Sequence, residues 1–310
     1  MTAARPRHRL QYALLRTVTT LLRLLPLGMA RRIGEGIGRL GYAPLGIRRE
    51  TVERQVAAAF PGLATPEVAR IARASYAHLG RLAIELALLP HLKLEALEAL
   101  FEEDSDFALM ERLRANHRSV VAFTGHVGNW ELAGAYLALR GVPIDAVVRR
   151  MANPLVDGFL TRTRSRTGMR VIYDSDAVRQ LTRGLKEGRV AGLVADQGVL
   201  GLASTYVPFF GRPAKTPRGP AVFAIRFDAP IIFCSAILQP SGKYRFTAEE
   251  IPVARTGDRD ADVDTTVANF TRALERLVRR HPEQYFWQHR RWKRQPPDTP
   301  PELRDPAANP

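Results

Sequence analysis

Cysteine is nearly absent from this chain of 310 residues. The one cysteine, Cys234, lies in an apolar run at 231–234, so we expect a buried thiol rather than a nucleophile or a metal ligand. A single cysteine also excludes a disulfide framework within the chain. The sequence has no cluster of cysteine and histidine at metal-ligand spacing and no P-loop, so neither a metal nor a nucleotide cofactor is implied.

Long apolar runs are missing as well. The most membrane-like segment, residues 9–25, reads as a helix of about 25 Å, which is shorter than the ~30 Å hydrocarbon core of a bilayer. Arg16 would lie near its centre, and Arg9 and Arg23 share the face of Arg16. The apolar residues of the opposite face are Leu14, Val18, Leu21 and Leu25. We therefore expect a helix lying flat in a membrane interface rather than a span or a signal peptide; the alternative is an amphipathic helix packed on the protein itself.

Acidic residues are few beside the basic ones, 31 against 46, which gives a net charge of +15 and a pI near 10.7. Such an excess implies an anionic partner, which is a nucleic acid, an anionic membrane surface, a phosphorylated substrate or an acidic protein. Aromatic residues make up 8% of the chain and are not arranged as stacking platforms. Their scarcity argues against a nucleic acid as the partner.

Hydrophobic periodicity divides the chain into three parts. Residues 1–115 are largely helical, with breaks at Pro61-Gly62 and Pro90, and we interpret them as a helical membrane-associating region. Residues 116–295 alternate short β-rich runs with amphipathic segments, which predicts an α/β core with a mostly parallel sheet flanked by helices. These two parts are expected to form one cooperative unit. Residues 296–310 are proline-rich without periodicity and are predicted to be a disordered tail.

The predicted strands of the core are 119–124, 143–148, 170–173, 190–195, 230–238 and 243–250. Its predicted helices are 131–140, 154–167, 176–187, 217–227 and 262–280. A match to the dinucleotide fingerprint G-x-G-x-x-G at 36–41 is set aside, because no strand precedes it. The glycines at 34, 36, 38 and 41 instead predict a helix packed closely against the membrane or another helix.

Polar residues directly after predicted strands are the first candidates for chemistry, because ligands of parallel α/β sheets bind beyond the carboxyl ends of the strands. These candidates are His126 after the first strand, Arg149 and Arg150 after the second, and Asp196 and Gln197 after the fourth.

The segment from Thr124 to Glu131 puts His126 in a glycine-flanked turn and Glu131 at the start of the next helix. On a continuous helix this spacing would keep the two side chains apart, so they meet only if the segment is a turn. A histidine that a carboxylate holds in one tautomer can take a proton from an attacking hydroxyl. The pair is therefore a candidate general base for acyl transfer, with an incidental histidine and a helix-start glutamate as the alternative.

The His126-x4-Glu131 element resembles the H-x4-D/E signature of glycerophosphate-type acyltransferases, and the chain resembles, more specifically, the late acyltransferases of bacterial lipid A biosynthesis. This element and the further ones named next follow the family's order over about residues 10–295. The further elements similar to that family are Arg48 to Pro61 with its Ala59-Phe60-Pro61 ending, Arg149-Arg150 followed by Asn153-Pro154, Asp196-Gln197, Phe209-Phe210-Gly211 with Thr216 and Gly219, and Trp287 to Lys293.

The resemblance implies a glycerophosphate-acyltransferase-like fold in which His126 is the catalytic base and Glu131 its partner. It implies an acyl carrier protein thioester as the donor, and an acidic carrier would dock well on a basic protein. The implied acceptor is a phosphorylated glycolipid, a lipid A precursor, at the cytoplasmic face of the inner membrane. No acyl-enzyme is needed, and backbone N–H groups near the glycine-rich turn are expected to stabilise the oxyanion.

The remaining positions are predicted to bind substrate. Arg149 and Arg150 would hold phosphate, although one of two adjacent residues is expected to point away. Asp196 and Gln197 either hydrogen-bond the substrate or brace the histidine loop. Phe210 either lines an acyl-chain pocket or packs in the core.

The closing segment Trp287 to Lys293 combines aromatic rings with Arg290 and Arg291. Such a segment suits an anionic interface, where rings lie at headgroup level and cations meet phosphates; the alternative is a solvated basic helix end. By resemblance it favours lipid A as the acceptor over the rival lipids, a lysophospholipid or a phosphatidylinositol mannoside. Two other classes, a basic nucleic-acid-binding protein and a non-catalytic membrane scaffold, are disfavoured by the aromatic content and by the intact His126 and Glu131.

Overall fold

The computed structural model describes residues 5–103, 106–199 and 201–308. The first part of the chain is helical, as the sequence predicts, and proline or glycine marks several of its breaks, such as Pro26 before the second helix and Pro90 in a short 3₁₀ turn after the fourth. None of the helices in the described ranges is both long and apolar enough to cross a bilayer. These first helices are α1 (Pro6–Leu22), α2 (Leu27–Tyr42), α3 (Arg49–Ala59), α4 (Thr65–Leu88), α5 (Leu94–Glu98) and α6 (Phe107–Asn116).

A six-stranded sheet and a separate hairpin make up the rest, with five flanking helices in the described residues. The strands are β1 (Val120–Thr124), β2 (Ile144–Val148), β3 (Arg170–Tyr173), β4 (Val190–Val194), β5 (Ser204–Phe209), β6 (Arg212–Pro217), β7 (Ile231–Leu238) and β8 (Tyr244–Ile251). The helices are α7 (Trp130–Leu139), α8 (Pro154–Arg166), α9 (Ala177–Lys186), α10 (Gly219–Phe227) and α11 (Arg259–Arg280).

The sheet has the strand order β3-β2-β4-β1-β7-β8, and all pairs are parallel except β7 with β8. This confirms the predicted α/β class with a mostly parallel sheet. Alternate residues of β1 enter different cores, Val121 and Phe123 on the side of α10 and α11, and Val120 and Ala122 on the side of α7. Because β1 lies between β4 and β7, the residues that follow β1 and β4 meet at one edge of the sheet.

The antiparallel hairpin of β5 and β6 was not predicted. Its strands contain Pro208, Pro213 and Pro217, and proline normally argues against a strand because it cannot donate a ladder hydrogen bond. A two-stranded edge hairpin tolerates it. The turn is made by Phe210 and Gly211, which have φ values of 52° and 73°, both in the left-handed region.

Glycines join α2 to α4. A Cβ on Gly38 would lie 2.0 Å from the carbonyl oxygen of Tyr76, and one on Gly80 would lie 2.0 Å from that of Gly34. Only glycine allows the two backbones to approach so closely. Of the two predicted packing partners, another helix is therefore the right one for Gly34 and Gly38, whereas Gly36 faces open space.

Two helices carry exposed apolar residues at intervals of four, four and three positions, which places each set on one helical face. Their exposed fractions run from 38% to 73%. The α1 stripe consists of Leu10, Leu14, Val18 and Leu21. The α2 stripe consists of Met29, Ile33, Ile37 and Leu40. Three residues of the α1 stripe, Leu14, Val18 and Leu21, were predicted to form an apolar face. The α2 stripe was not predicted, because only the glycine face of that helix was considered.

Residues 296–308 lie along the hairpin, which differs from the predicted disordered tail; residues 309 and 310 lie outside the described ranges. Arg212 donates to the backbone carbonyls of Glu302 and Arg304 at 2.8 and 2.9 Å. Gln295 donates to the carbonyls of Pro213 and Leu303 at 3.1 and 2.8 Å. A proline-rich segment offers carbonyls without N–H groups, and arginine and glutamine side chains satisfy them here.

Candidate active site

The turn after β1 fixes the position of His126. Gly128 has a φ of 61°, and a Cβ there would lie 2.2 Å from the carbonyl oxygen of Ala236, so the position requires glycine. Asn129 caps α7 by accepting from the N–H of Leu132 at 3.0 Å, and it donates to the buried carboxylate of Glu85 at 2.8 Å. The close approach of Gly128 to β7 and the hydrogen bonds of Asn129 therefore fix the conformation of the turn.

The backbone donors of this turn are already used. The N–H groups of residues 127, 128 and 129 donate to backbone carbonyls, and the N–H of His126 donates to a carboxylate. A group that already has an acceptor cannot also stabilise a developing charge without losing that bond. The expectation that N–H groups of the glycine-rich turn form the oxyanion hole is therefore wrong for residues 126–129.

The carboxylate that holds His126 is that of Asp196. Its Oδ1 lies 2.6 Å from Nδ1 of the ring, and its Oδ2 accepts the backbone N–H of the same histidine at 3.0 Å. Thr124 and Val194 are register partners in the β1–β4 ladder, and each residue of the pair lies two positions beyond one of them. Of the two roles left open for Asp196, bracing the histidine is the one the structure supports.

Glu131 does not take the place that the sequence analysis gave it. Its two carboxylate oxygens accept from Nη2 and Nε of Arg164 at 2.6 and 2.9 Å. Glu131 lies in the first turn of α7 and Arg164 in the last turn of α8, so this bidentate pair ties two helices together beside the cavity. The predicted orientation of His126 by Glu131 is corrected: Asp196 orients the ring, and Glu131 orients Arg164.

Asp196 is fully buried, and its charge is strongly compensated. Burial alone would raise the pKa of its carboxyl, but the His126 ring, the two hydrogen bonds from that residue and the nearby Arg291 guanidinium lower the pKa to about 2. The carboxylate in turn contributes, after burial, to raising the pKa of Tyr285 above its ordinary value. Asp196 is therefore ionised at any physiological pH, and a neighbouring imidazolium would be stabilised.

A cavity of about 340 Å³ opens beside His126, within the usual size range for small-ligand sites. Its polar rim contains Glu131, Arg149, Arg164 and Gln197. The ring of Trp130 lies edge-on to His126, with 4.6 Å between the centroids. The polar rim residues are exposed or partly exposed, whereas most of the apolar lining is buried, namely Phe123, Leu137, Ile144, Met169 and Cys234, with Leu193 half-buried. The cavity thus has a charged mouth and an apolar interior.

The two arginines after β2 point to different neighbours. Arg149 lines the cavity and makes no ion pair within the described residues. The guanidinium of Arg150 lies over the ring of Tyr173, 3.8 Å from its centroid, and 4.0 Å from the carboxylate of Asp157. Of these two arginines, only Arg149 is placed to meet a ligand of this cavity.

Phe210 does not line the cavity. It is buried at the hairpin turn, where its ring contacts the rings of Phe60 and Phe209 and its N–H donates to Glu275. The left-handed turn conformation directs it into the core. Of the two alternatives for Phe210, core packing is the one observed.

The closing segment is buried rather than placed at a surface. Trp287 and Trp292 are both completely buried, and Gln55 of α3 donates to the carbonyl of Trp287 at 2.7 Å. Arg291, only 3% exposed, donates to the carbonyl of Lys215 and the hydroxyl of Thr216. The prediction of an anionic interface here is therefore wrong, because helix α3 and the hairpin cover the segment.

Arg290 also has a partner. Its Nε donates to Asp305 at 3.0 Å, in an ion pair that holds the C-terminal segment. Neither arginine of the closing segment is thus free for phosphate, and Arg149 and Arg164 remain as the cations at the cavity. No local signal could have revealed Arg164, which is one of three arginines at alternate positions of α8.

The sequence matches the family model described as bacterial lipid A biosynthesis acyltransferase over residues 3–294. A lipid A biosynthesis lauroyltransferase of Escherichia coli (strain K12) is 26% identical over 89% of each chain, and a lipid A biosynthesis palmitoleoyltransferase of the same strain is 25% identical over 85% of each chain. A phosphatidylinositol mannoside acyltransferase of Mycolicibacterium smegmatis is 28% identical over 68% of this chain and 69% of its own. With nearly its whole length matched, the chain belongs to the bacterial lipid A biosynthesis acyltransferase family and is an acyltransferase of the lipid A type.

Proposed function

We propose that this protein transfers a fatty acyl chain from an acyl carrier protein thioester to a hydroxyl group of a lipid A precursor. The single observation that carries the proposal is the His126–Asp196 pair at the mouth of an apolar cavity. A paired histidine supplies a base, the cavity interior suits a hydrocarbon chain, and the unpaired Arg149 at the rim suits an anionic acceptor.

His126 acts as the general base. Nδ1 faces Asp196, while Nε2 has no partner among the described residues and is the nitrogen that takes the proton of the acceptor hydroxyl. The hydroxyl oxygen attacks the thioester carbonyl, the C–S bond of the resulting tetrahedral intermediate breaks, and the departing thiolate recovers the proton from the imidazolium. Asp196 stabilises the imidazolium between these two transfers.

Glu131 is a positioning residue in this mechanism. It binds Nε and Nη2 of Arg164, and within the described residues no acceptor binds Nη1. A guanidinium fixed in this way keeps the N–H groups of Nη1 for the oxyanion of the intermediate or for a substrate phosphate. This assignment replaces the backbone donors of the turn, and it gives the carboxylate of Glu131 a role although it accepts its hydrogen bonds from Arg164 and not from His126.

The acyl chain occupies the apolar part of the cavity. Phe123, Ile144 and Leu193 line its walls, and Met169 lies against Gly134, where a Cβ would be 3.0 Å from the sulfur. The carrier protein docks by charge, since an acidic carrier meets a chain of net charge +15.

The protein works at the cytoplasmic face of the inner membrane, attached peripherally. The α1 stripe and the α2 stripe support this placement, because water-exposed apolar rows of this length are typical of helices that lie in an interface. Asn153, which caps α8 close to the cavity residue Met151, donates to the carbonyl of His8 in α1 at 3.1 Å. The cavity mouth therefore lies near the helix that meets the lipid.

The test is acyl transfer by purified protein from a carrier thioester to three acceptors in matched micelles: a lipid A precursor, a lysophospholipid and a phosphatidylinositol mannoside. We expect the precursor to be acylated, and His126→Ala to lower turnover by about 10²-fold or more. Near-normal turnover by a folded His126→Ala protein would contradict the base assignment. If only the lysophospholipid is acylated, the acceptor assignment fails and the base assignment survives.

The adjacent arginines give a matched pair of variants. Arg149→Gln removes a cation from the cavity rim, whereas Arg150→Gln removes one that lies over Tyr173. We expect only the first to raise the KM for the phosphorylated acceptor, by about 10-fold or more, because a charged hydrogen bond to phosphate contributes ~1.5–3 kcal/mol. Equal effects of the two variants would refute the placement of the acceptor phosphate at this rim.

A second candidate acceptor has a specific observation in its favour. The mycobacterial relative, named for phosphatidylinositol mannoside, is as similar in sequence as the two lipid A enzymes, although over less of the chain. Acylation of the mannoside alone in the same assay would establish this alternative.

A further inference from the structure

A second cavity, of about 630 Å³, lies away from His126, between the end of α1, the turn after α4 and the last residues of α8. Among the described residues, its lining carries a set of basic side chains and one acidic residue, Glu95. The basic residues are Arg23, His91, Lys93 and Arg166.

Three cations of this cleft lack the ion pairs that many other arginines of the described residues make. Arg23, Lys93 and Arg166 are exposed and make no ion pair within the described part of the chain. Some exposed arginines on other helices have an acidic partner one turn away, as Arg183 has Glu187, whereas others, such as Arg280, have none within the described residues. The cleft differs in that three unpaired cations line one cavity. Glu95 offsets only part of this charge, and like charges that line one cleft repel one another, so an anion bound there would relieve the repulsion.

A second observation reports the same excess of positive charge. The pKa of His91 is lowered, first by burial and then by Arg23, Arg16 and Arg166. Arg16 thus also contributes to the field of the cleft. A position near a helix C-terminus stabilises one cation by about 0.3–1 kcal/mol, which accounts for Arg23 or Arg166 singly. It does not account for the presence of Arg23, Lys93 and Arg166, which come from three separate parts of the chain, in the lining of one cleft.

We propose that this cleft binds the phosphate of an anionic phospholipid headgroup. Arg16 and Arg23 belong to, or directly follow, the helix that carries the α1 stripe. If the stripe lies among the acyl chains at the interface, these arginines lie at headgroup depth beside it. Arginine and lysine side chains converging in an open cleft suit phosphate oxygens. The inference rests on the membrane attachment within the proposed function.

The cleft is separate from the catalytic cavity. Arg164 lines the catalytic cavity and Arg166 lines the cleft. Residues two positions apart on an α-helix differ by about 200° in azimuth, so these side chains leave α8 on nearly opposite faces. The body of α8, about 10 Å across, therefore stands between the two sites. A bilayer phospholipid can occupy the cleft while the acceptor reacts, which is why we assign the cleft to a bilayer lipid and not to a phosphate of the acceptor.

The experiment measures flotation of the full chain with phosphatidylcholine vesicles, with and without phosphatidylglycerol. The cleft variant combines Arg23→Gln, Lys93→Gln and Arg166→Gln. Its matched control removes two arginines and one lysine that are likewise exposed and unpaired within the described ranges: Lys243→Gln, Arg259→Gln and Arg280→Gln. All six positions are on the surface, and circular dichroism checks that both proteins fold.

We expect phosphatidylglycerol to strengthen vesicle binding of the unaltered chain, and the cleft variant to lose about 10- to 100-fold of that binding. The control should lose no more than a few-fold, through net charge alone. Equal losses in both variants would overturn the proposal, because they would make the effect non-specific. Inorganic phosphate at millimolar concentration should not displace the protein; displacement would assign the cleft to free phosphate and overturn the lipid assignment.

Two further outcomes separate this proposal from the proposed function. If the unaltered chain binds neutral vesicles and phosphatidylglycerol adds nothing, the cleft proposal fails and the membrane attachment stands. If the chain binds neither vesicle, both fail. Acyl transfer in neutral micelles should be unchanged in the cleft variant; a raised KM for the lipid A precursor would show that the cleft holds an acceptor phosphate, which also overturns the assignment to a phospholipid.

Discussion

Replacing Asp196 with asparagine tests how the structure orients His126. The carboxylate accepts two hydrogen bonds from one residue, from the backbone N–H and from Nδ1–H. Asparagine offers one acceptor and one donor, so it can satisfy only one of these groups. If it keeps the backbone bond, its NH₂ group faces Nδ1 and forces the proton to Nε2, the nitrogen that must accept a proton in the reaction. We therefore expect kcat to fall by at least about 10²-fold.

The same substitution has a calculable effect on stability. The carboxyl has a pKa of about 2 in the folded protein against 3.8 in the unfolded chain, a difference that corresponds to roughly 2 kcal/mol. Because the folded-state pKa is the lower one, this contribution is present above about pH 4 and is lost as the pH falls through about 2. Asp196→Asn should therefore be less stable than the unaltered protein at neutral pH, and the difference should narrow in acid.

Asp262→Asn is the matched control. Asp262 is also buried, and it accepts hydrogen bonds from the backbone N–H and the hydroxyl of Thr256 at 2.8 and 2.7 Å, away from the cavity lining. Denaturant unfolding and steady-state kinetics should show that both variants lose stability, but only Asp196→Asn loses turnover. A folded Asp196→Asn protein with normal kcat would refute the assignment of Asp196 as the residue that sets the tautomer.

Three further predictions concern packing and specificity. Gly38→Ala should lower the free energy of unfolding by about 1–3 kcal/mol, because its Cβ would meet the carbonyl of Tyr76, whereas Gly36→Ala in open space should be neutral or stabilising; equal values in thermal unfolding would contradict the helix contact. Arg291→Met should lower the free energy of unfolding by about 2 kcal/mol or more, because the carbonyl of Lys215 and the hydroxyl of Thr216 lose a buried donor, and it should leave the KM for the acceptor unchanged. A variant of normal stability with a raised KM would instead support the predicted role of Arg291 in phosphate binding. Gly134→Leu should shift the preferred donor to a shorter acyl chain, measured with carrier thioesters of graded length; an unchanged preference would mean that the chain does not occupy this part of the cavity.

Most of the sheet follows from local sequence. The strands β1 to β4, β7 and β8 are short apolar or β-branched runs bounded by polar turns, and their ends were predicted within about two residues. The hairpin was missed because its three prolines are acceptable only on strands whose N–H groups need no partner, and that depends on tertiary context. Residues 296–308 are ordered by side chains of the hairpin and the closing segment, which no composition rule anticipates.

The sequence identified several residues of the candidate site, but it did not predict which of them contact one another. His126 and Asp196 were both selected because they follow strands, but their pairing depends on β4 lying beside β1, and the order of strands in a sheet is not written in any local pattern. Glu131 was assigned to the nearest histidine in sequence, whereas its partner, Arg164, lies 33 positions away. The charge of Arg291 suggests an exposed residue that binds phosphate, whereas its hydrogen bonds to Lys215 and Thr216 place it in the core.

The parallel pairing of β1 with β4 bears on how such a chain can change in length. His126 and Asp196 are 70 positions apart, yet each is only two residues from a register pair of the ladder. Insertions or deletions in the loops around α8 and α9 therefore leave the distance between the two side chains unchanged. A single residue added to the turn after β1 would instead move His126 out of reach of its carboxylate. Relatives whose connections between β1 and β4 differ in length can thus share the same pair of histidine and aspartate. We expect length variation to concentrate in the surface loops around α8 and α9.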